Sequence, residues 1–547
     1  GVDLAVQQAR AQYFFVVAQL ALKAGDLERA TAALAEAVKA DPRAPELRVG
    51  LARLLLRQGD LEGAREHADR ALALEPGHVE ALLIVAGLHA AAHRYAEAAA
   101  AYREVIARQP DDEEAPLYLA AILAEQGELA EAERTLAALV ARRPDSVMGH
   151  FYLGRVRSER RDYPGAVAAY RAALELNPAL EPARFDLAQV YEAMKRPEEA
   201  EAQYRTLLAR NPKHERARLR LSQLYIQQNQ LDQALEELRF VEGTFDVRLK
   251  MGLILFEQRR LDEAAAEFRL ALGTKPRPGQ PEPDYGRAHY YLGVVEMERQ
   301  AAAAAEPHFL AVTPASEAYV DSRLYLGYLY ERRGEAERAI GAVRDGLAVK
   351  PRSVELRTFL ATLYEGQKRY DEAARVLEEA LAAQPDEERL LYTLGVIYEK
   401  AGQRERGLAQ MERILAINPR HAGALNFIGY TWAEQGIRLD EAEALIKRAL
   451  EEKPDDGAII DSLGWVYYQK GEYERAVELL ERAARLEPDE PVIAEHLGDA
   501  YAKTGRIEQA IAAYERALKA DPGKAALREK LERLRRARGG AGAGQGL

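Results

Sequence analysis

His89 and His93 stand four residues apart, a spacing that can place two imidazoles on one face of a helix and begin a metal site. No third ligand follows at a recognisable spacing, so no metal is expected. His89 also falls in a slot that Tyr fills elsewhere, which reads as packing. His150, His289 and His496 scatter without a nucleophile or carboxylate partner at a catalytic spacing. The acidic run Asp111-Asp112-Glu113-Glu114 falls where a helix begins, and carboxylates there stabilise the helix dipole. The sequence holds no G-x-x-x-x-G-K-[ST] phosphate loop, no G-x-S-x-G elbow, no H-E-x-x-H and no calcium loop. It also holds no cysteine, which removes thiol nucleophiles, zinc–thiolate sites, iron–sulfur clusters and disulfides. The chain therefore reads as non-catalytic and without a cofactor, and its function must reside on surfaces.

Bulk composition narrows those surfaces. Over 547 residues, 76 basic and 88 acidic side chains give a net charge of −12, which offers no electrostatic reason for a nucleic-acid partner. The longest uncharged apolar runs, Ala11–Leu22 and Ala81–His93, fall well short of the roughly 20 residues that span a bilayer, so no direct membrane insertion is expected. Heavy use of Ala and Arg fits a GC-rich bacterial genome.

The elements that position these surfaces repeat. Pro42, Pro76, Pro110, Pro144, Pro178 and Pro212 are each 34 residues apart, and the comb returns from Pro351 to Pro522 with one step of 35. Aligned on this period, the chain gives fifteen units starting at residues 11, 45, 79, 113, 147, 181, 215, 245, 286, 320, 354, 388, 422, 457 and 491. Position 8 is always small, as at Ala18, Gly154, Ser222 and Gly464, and position 20 is Ala in every unit but one, where it is Gly407, with Ala442 set one place later by a one-residue insertion. Small residues there let two amphipathic helices approach closely. Leu at 7 and Tyr or Leu at 11 and 24 fill the space between layers. Gly near 15 ends the first helix through a positive φ, and Pro at 32 stops the second.

This pattern of small-8, Tyr-11, Ala-20 and Pro-32 on a 34-residue period resembles the tetratricopeptide repeat family, over residues 11–524. The resemblance implies an all-α, right-handed superhelical solenoid of about fifteen helix-turn-helix repeats, with a C-terminal capping helix. The stretch Ala424–Arg506 is further similar to a type of large bacterial repeat protein whose members are often exported or lipid-anchored. That likeness implies the bacterial cell envelope, periplasmic or outer-membrane associated, with the cytoplasm as the alternative and a lipid anchor ahead of Gly1 as one means of attachment.

In the family, positions 2, 5, 9 and 12 of the first helix face a bound protein or peptide. Carried onto this sequence, those slots give a partner-binding wall of Leu253, Phe256, Tyr290, Val294, Met297, Tyr328, Tyr392, Tyr430, Trp465 and Tyr468. Aromatic rings are unusual on a solvated wall and suit an interface. Position 5 is never Lys, which argues against the carboxylate clamp of the chaperone-binding members. The expected role is a scaffold for partner proteins in assembling an envelope complex such as secretion, pilus or outer-membrane machinery. The alternative is an accessory of polysaccharide synthesis or export, with the wall stacking on sugars or holding a glycosyltransferase.

The register breaks twice. Four residues are missing before 245, and seven are added around the Pro-rich stretch 277–284. These breaks are expected to divide the chain into a lead-in helix over 1–10, an N-terminal arm over 11–244, an eighth repeat with its insertion over 245–285 and a C-terminal arm over 286–523, the alternative being that 277–284 is a passive surface loop. A capping helix over 524–538 and a disordered Gly-rich tail over 539–547 follow.

Overall fold

A computed structural model describes residues 2–542. They form thirty-one helices, thirty of them paired in fifteen antiparallel hairpins and one closing the series, with no strand among the described residues. The chain divides into two compact units, residues 1–243 and 244–547. Within each unit every hairpin stacks on the next, and the core is the row of apolar side chains between layers.

Inside a repeat the two helices touch almost backbone to backbone. A Cβ on Gly464 would meet Leu480 at 2.8 Å, and one on Gly429 would meet Ile446 at 2.6 Å and the Ala442 carbonyl at 3.0 Å. Ala30, Ala64, Ala98 and Ala132, all at position 20, are fully buried. The turn between the helices is equally uniform. Position 15 has positive φ in all fifteen repeats, eight times at Gly (Gly25, for example) and seven times at His93, Arg161, Lys195, Asn229, Arg259, Gln300 and Lys368. Glycine was expected to supply this conformation; where it is missing, the hairpin geometry imposes it on larger residues.

Repeats are stitched by the Tyr at position 11. The side chain 20 residues earlier, in the preceding repeat, meets its hydroxyl: Arg171 donates to Tyr191 (2.7 Å), Arg344 donates to Tyr364 (2.6 Å), and Tyr501 donates to Glu481 (2.7 Å). An Arg on the second helix of the same hairpin often lies over the ring, as Arg338 does over Tyr330 and Arg475 over Tyr467, both at 4.0 Å.

Three expected features take a different form. The lead-in over 1–10 is not a separate element: Val2–Lys23 is one helix, because no Gly or Pro interrupts it. The last helix, Ala525–Gly542, runs four residues into the Gly-rich stretch expected to be disordered; residues 543–547 lie outside the described ones. The register loss before 245 falls on the seventh repeat, whose second helix shrinks to the eight residues Leu231–Leu238. In the ninth repeat, Ala302–Ala311 ends early, and the buried guanidinium of Arg323 donates to the freed carbonyls of Phe309 (3.1 Å) and Val312 (2.9 Å). The insertion 277–284 is exposed over most of its length but anchored at its end. Asp284 caps the next helix through the Gly286 N–H and accepts from the Ser316 hydroxyl at 2.9 Å.

Two outcomes follow. Lys195 is exposed and strained at φ 55°, so Lys195→Gly should stabilise the sixth repeat by about 0.5–1 kcal/mol, read as a higher urea midpoint. An unchanged or lower midpoint would show that position 15 carries no strain. Glu443 behaves as an acid lock. Burial alone would raise its carboxyl, but hydrogen bonds from Lys447 (2.6 Å), Lys470 (2.5 Å) and Tyr467 (2.8 Å) hold it down at about 2. Its stabilisation is complete above the ordinary carboxylate value of 4.5 and drains away as the pH falls toward about 2. Glu443→Gln should flatten that part of a pH–stability profile, measured by thermal melts between pH 5 and 2.

Candidate functional site

The expected wall residues all lie in the second unit, on the first helices of their hairpins. Leu253 and Phe256 are on Phe245–Glu257; Tyr290, Val294 and Met297 on Tyr285–Glu298; Tyr328 on Tyr319–Arg332. Tyr392 is on Glu388–Lys400, Tyr430 on Ala422–Gln435, and Trp465 and Tyr468 on Gly457–Gln469. Tyr328 is exposed, at 42%, and the other nine are half-buried. Tyr290, Tyr392, Trp465 and Tyr468 are partly buried against the interlayer core.

The rings gather into separate groups. Tyr290 meets Tyr325 edge-on at 5.9 Å, and Val294 and Met297 pack against the same core. Tyr328 stacks on Phe359 at 4.3 Å. Tyr392 leans on His421 at 5.8 Å, and Gly423 leaves room for it, since a Cβ there would meet the ring at 2.9 Å.

The densest group spans three consecutive repeats. Trp465 lies between two rings, parallel to Tyr468 at 4.5 Å and to the His496 imidazole at 4.1 Å, and Tyr430 approaches the same imidazole at 6.3 Å. His496 is itself held from behind: its Nδ1 lies 2.9 and 3.0 Å from the two carboxylate oxygens of Asp461, and both residues are buried. A carboxylate only accepts, so Nδ1 carries the proton. The Trp465 Nε1 is buried without a hydrogen-bond partner, as are Asn426 Oδ1 and Glu399 Oε2 on the two preceding first helices. Burial, reinforced by Glu434, Asp461, Glu495 and Glu399, pushes the Tyr430 hydroxyl well above its ordinary value. Burial and Asp499 push Tyr468 up to about 12. Both phenols stay neutral at physiological pH, so the group presents flat apolar faces rimmed by carboxylates.

The Asp461–His496 pair corrects the reading of His496 as partnerless. The two lie 35 residues apart, position 5 of one repeat against position 6 of the next. The same pair of slots recurs 34 residues later, where Lys530 of Ala525–Gly542 bonds Glu495 at 3.1 Å and also Asp499 at 2.8 Å. A search for partners one period plus one residue away would have found it. The rings also take part in stacking repeats, a role that the pairing of helices within one hairpin does not reveal.

His89, His93 and the acidic run have local structural settings. His93 sits in the turn, with Nδ1 2.7 Å from the Tyr95 hydroxyl, while His89 is half-buried and its pKa is lowered by burial. Asp112 caps a helix through the Ala115 N–H at 2.7 Å. Among the described residues the one close grouping of three potential ligands is Glu46, Glu75 and His78, with both carboxylates exposed. No described helix is long and apolar enough to cross a membrane.

Two profiles of the tetratricopeptide repeat match this chain, one over residues 17–79, 51–113, 249–320 and 462–525, the other over 89–149, 158–210, 195–239, 331–395 and 364–428. A curated protein of Pseudomonas aeruginosa, described as TPR repeat-containing, is 48% identical over 48 residues, which is 9% of this chain and 8% of that protein. The match thus spans under a tenth of the relative's length. Among solved structures, a tetratricopeptide repeat protein from Parabacteroides merdae is similar at 17% identity, covering 46% of this chain and 98% of its own, with a TM-score of 0.40. The Cut9–Hcn1 hetero-tetramer of the APC/C is similar at 15% identity over 90% of this chain and 96% of that one, with a TM-score of 0.36.

The buried acid behind the ring group is open to test. Asp461→Ala leaves the His496 Nδ1–H buried without an acceptor and should cost about 2–4 kcal/mol, seen as faster amide exchange confined to the last repeats. Asp461→Asn keeps an acceptor and should cost less. Equal losses for the two would show that the pair contributes nothing beyond shape.

Proposed function

The chain belongs to the tetratricopeptide repeat family, a family of protein-interaction scaffolds, and from that premise we propose that the ring-bearing wall of its second unit holds an extended or helical segment of a partner protein. The observation that carries this reading is the Tyr430–His496–Trp465–Tyr468 group, whose rings are fixed from behind by Asp461 and by the interlayer core. Rings already locked lose little rotamer freedom on binding, and they offer large contact area. Tyr328, on the same slots earlier in the unit, extends the wall. Contact through neutral rings makes binding mainly apolar, so affinity should depend weakly on salt.

The setting we propose is assembly of a complex in the bacterial cell envelope. It is supported by the likeness of Ala424–Arg506 to large bacterial envelope repeat proteins.

A photo-reactive phenylalanine analogue introduced at Tyr328 should cross-link a protein in extract of the source cells, whereas the same analogue at Leu486, exposed at the end of a second helix, should not. With that partner purified, changing Tyr430 and Trp465 together to Ala should weaken binding by about 2–4 kcal/mol. Because Trp465 also stacks on His496, the melt of this variant should drop by a few degrees, and Tyr328→Ala, at an exposed ring, gives a control with little effect on folding. Unchanged affinity in both variants would refute the wall as the binding site.

A further inference from the structure

Position 4 on the first helix of a repeat and position 23 on the second lie 19 residues apart in sequence, and they can meet across the hairpin. In three consecutive repeats, the sixth to the eighth, they hold a donor and an acceptor. Arg184 donates to Gln203 (3.0 Å), Arg218 to Glu237 (2.6 Å) and Arg248 to Glu267 (3.0 Å). The ninth repeat departs from this rule. Its two slots are His289, on Tyr285–Glu298, and His308, on Ala302–Ala311. Their Nδ1 atoms face each other at 3.4 Å, with the rings tilted by 33°.

Two imidazoles replace an Arg–carboxylate pair poorly. If both Nδ1 atoms carry lone pairs, they repel each other. If one carries a proton, the 3.4 Å separation exceeds that of an ordinary N–H hydrogen bond, about 2.7–3.2 Å. The separation does suit a shared metal ion. Two nitrogens bound at about 2.0–2.1 Å and subtending a tetrahedral angle stand roughly 3.3–3.4 Å apart. Neighbouring positions of a square-planar or octahedral ion would need about 2.8–3.0 Å.

The chemistry of the rings agrees with this geometry. Both are half-buried, and burial lowers both pKa values from 6.5. His308 lowers His289 further; Glu296 raises His308 and Arg269 lowers it. The pair is therefore neutral at physiological pH, which leaves nitrogen lone pairs for a metal. The grouping of Glu46, Glu75 and His78 is built otherwise: its carboxylates are exposed, and His78 caps a helix.

We propose that His289 and His308 form a tetrahedral zinc site that clips together the two helices of the ninth repeat, water filling the other two positions. Copper(II) prefers tetragonal geometry, and calcium and magnesium take oxygen ligands, so zinc fits this pair best. Each ring binds through Nδ1 with its proton on Nε2, so neutral rings release none. A clip has a purpose here. Ala302–Ala311 has only ten residues and contains Pro307, which has no N–H to give to the helix.

Untagged full-length protein, stripped with a chelator, tests this with zinc and with cobalt(II) as its coloured stand-in. Cobalt should develop the intense visible bands of a tetrahedral site, and zinc should abolish them. With zinc at about ten times its dissociation constant, amide exchange over Ala302–Ala311 should slow about tenfold. The double variant His289→Arg/His308→Glu installs the pair of the seventh and eighth repeats. It should fold as the wild type does and lose both responses, whereas His78→Ala should keep them. A wild type without tetrahedral cobalt bands, or with exchange indifferent to zinc, overturns the proposal. So do responses that survive in the double variant, or that vanish in His78→Ala and so put the ion on the first unit's grouping.

Discussion

The rest of this molecule depends on a gap too narrow for any but the smallest side chains. In each repeat two helices cross where position 8 faces position 20, and the contact is so close that a Cβ on Gly395 would lie 3.2 Å from the Gly407 carbonyl. A methyl at Ala30 or Ala476 just fits and is fully buried, as is the hydroxymethyl of Ser222; anything larger would wedge the hairpin open. Because each hairpin is the template for the next, an error in that gap would be passed on as a changed tilt of every following layer. The wall of first helices keeps its spacing because the gap keeps its width.

Layers held only by apolar contact could slide, and polar contacts between repeats give them register. Tyr at position 11 reaches a side chain 20 residues behind it, and the carboxylate at position 5 reaches a base 35 residues ahead. These bonds have directions, so they fix rotation where packing fixes only distance. Where the register itself is broken, single residues carry the repair. Arg323 satisfies the end of a shortened helix, and Asp284 ties the close of the insertion to Ser316.

Much of this was legible in the sequence because a repeat prints its constraints fifteen times. The period, the small slots, the interlayer Tyr and Leu and the hairpin turns follow from spacing alone. What spacing hides is anything imposed by geometry on an unsuited residue, or shared between two periods. Lys195 and Arg259 adopt the glycine conformation although nothing in their chemistry announces it. Asp461 and His496 are unremarkable in their own repeats and become a pair only when one layer is laid on the next.

The candidate wall shows why its rings resisted a simple division between core and surface. Trp465 is packed between His496 and Tyr468 and still reaches the face of the layer stack. A small residue there would leave the layers poorly joined, and a fully buried one would offer nothing to a partner. An aromatic ring is broad enough to do both, with one face on the neighbouring repeat and an edge at the surface. The same rigidity that joins repeats thus prepares the contact surface. A partner meeting Tyr430 and Trp465 meets groups whose positions are set by three layers at once, and the energy of ordering them has been spent in folding.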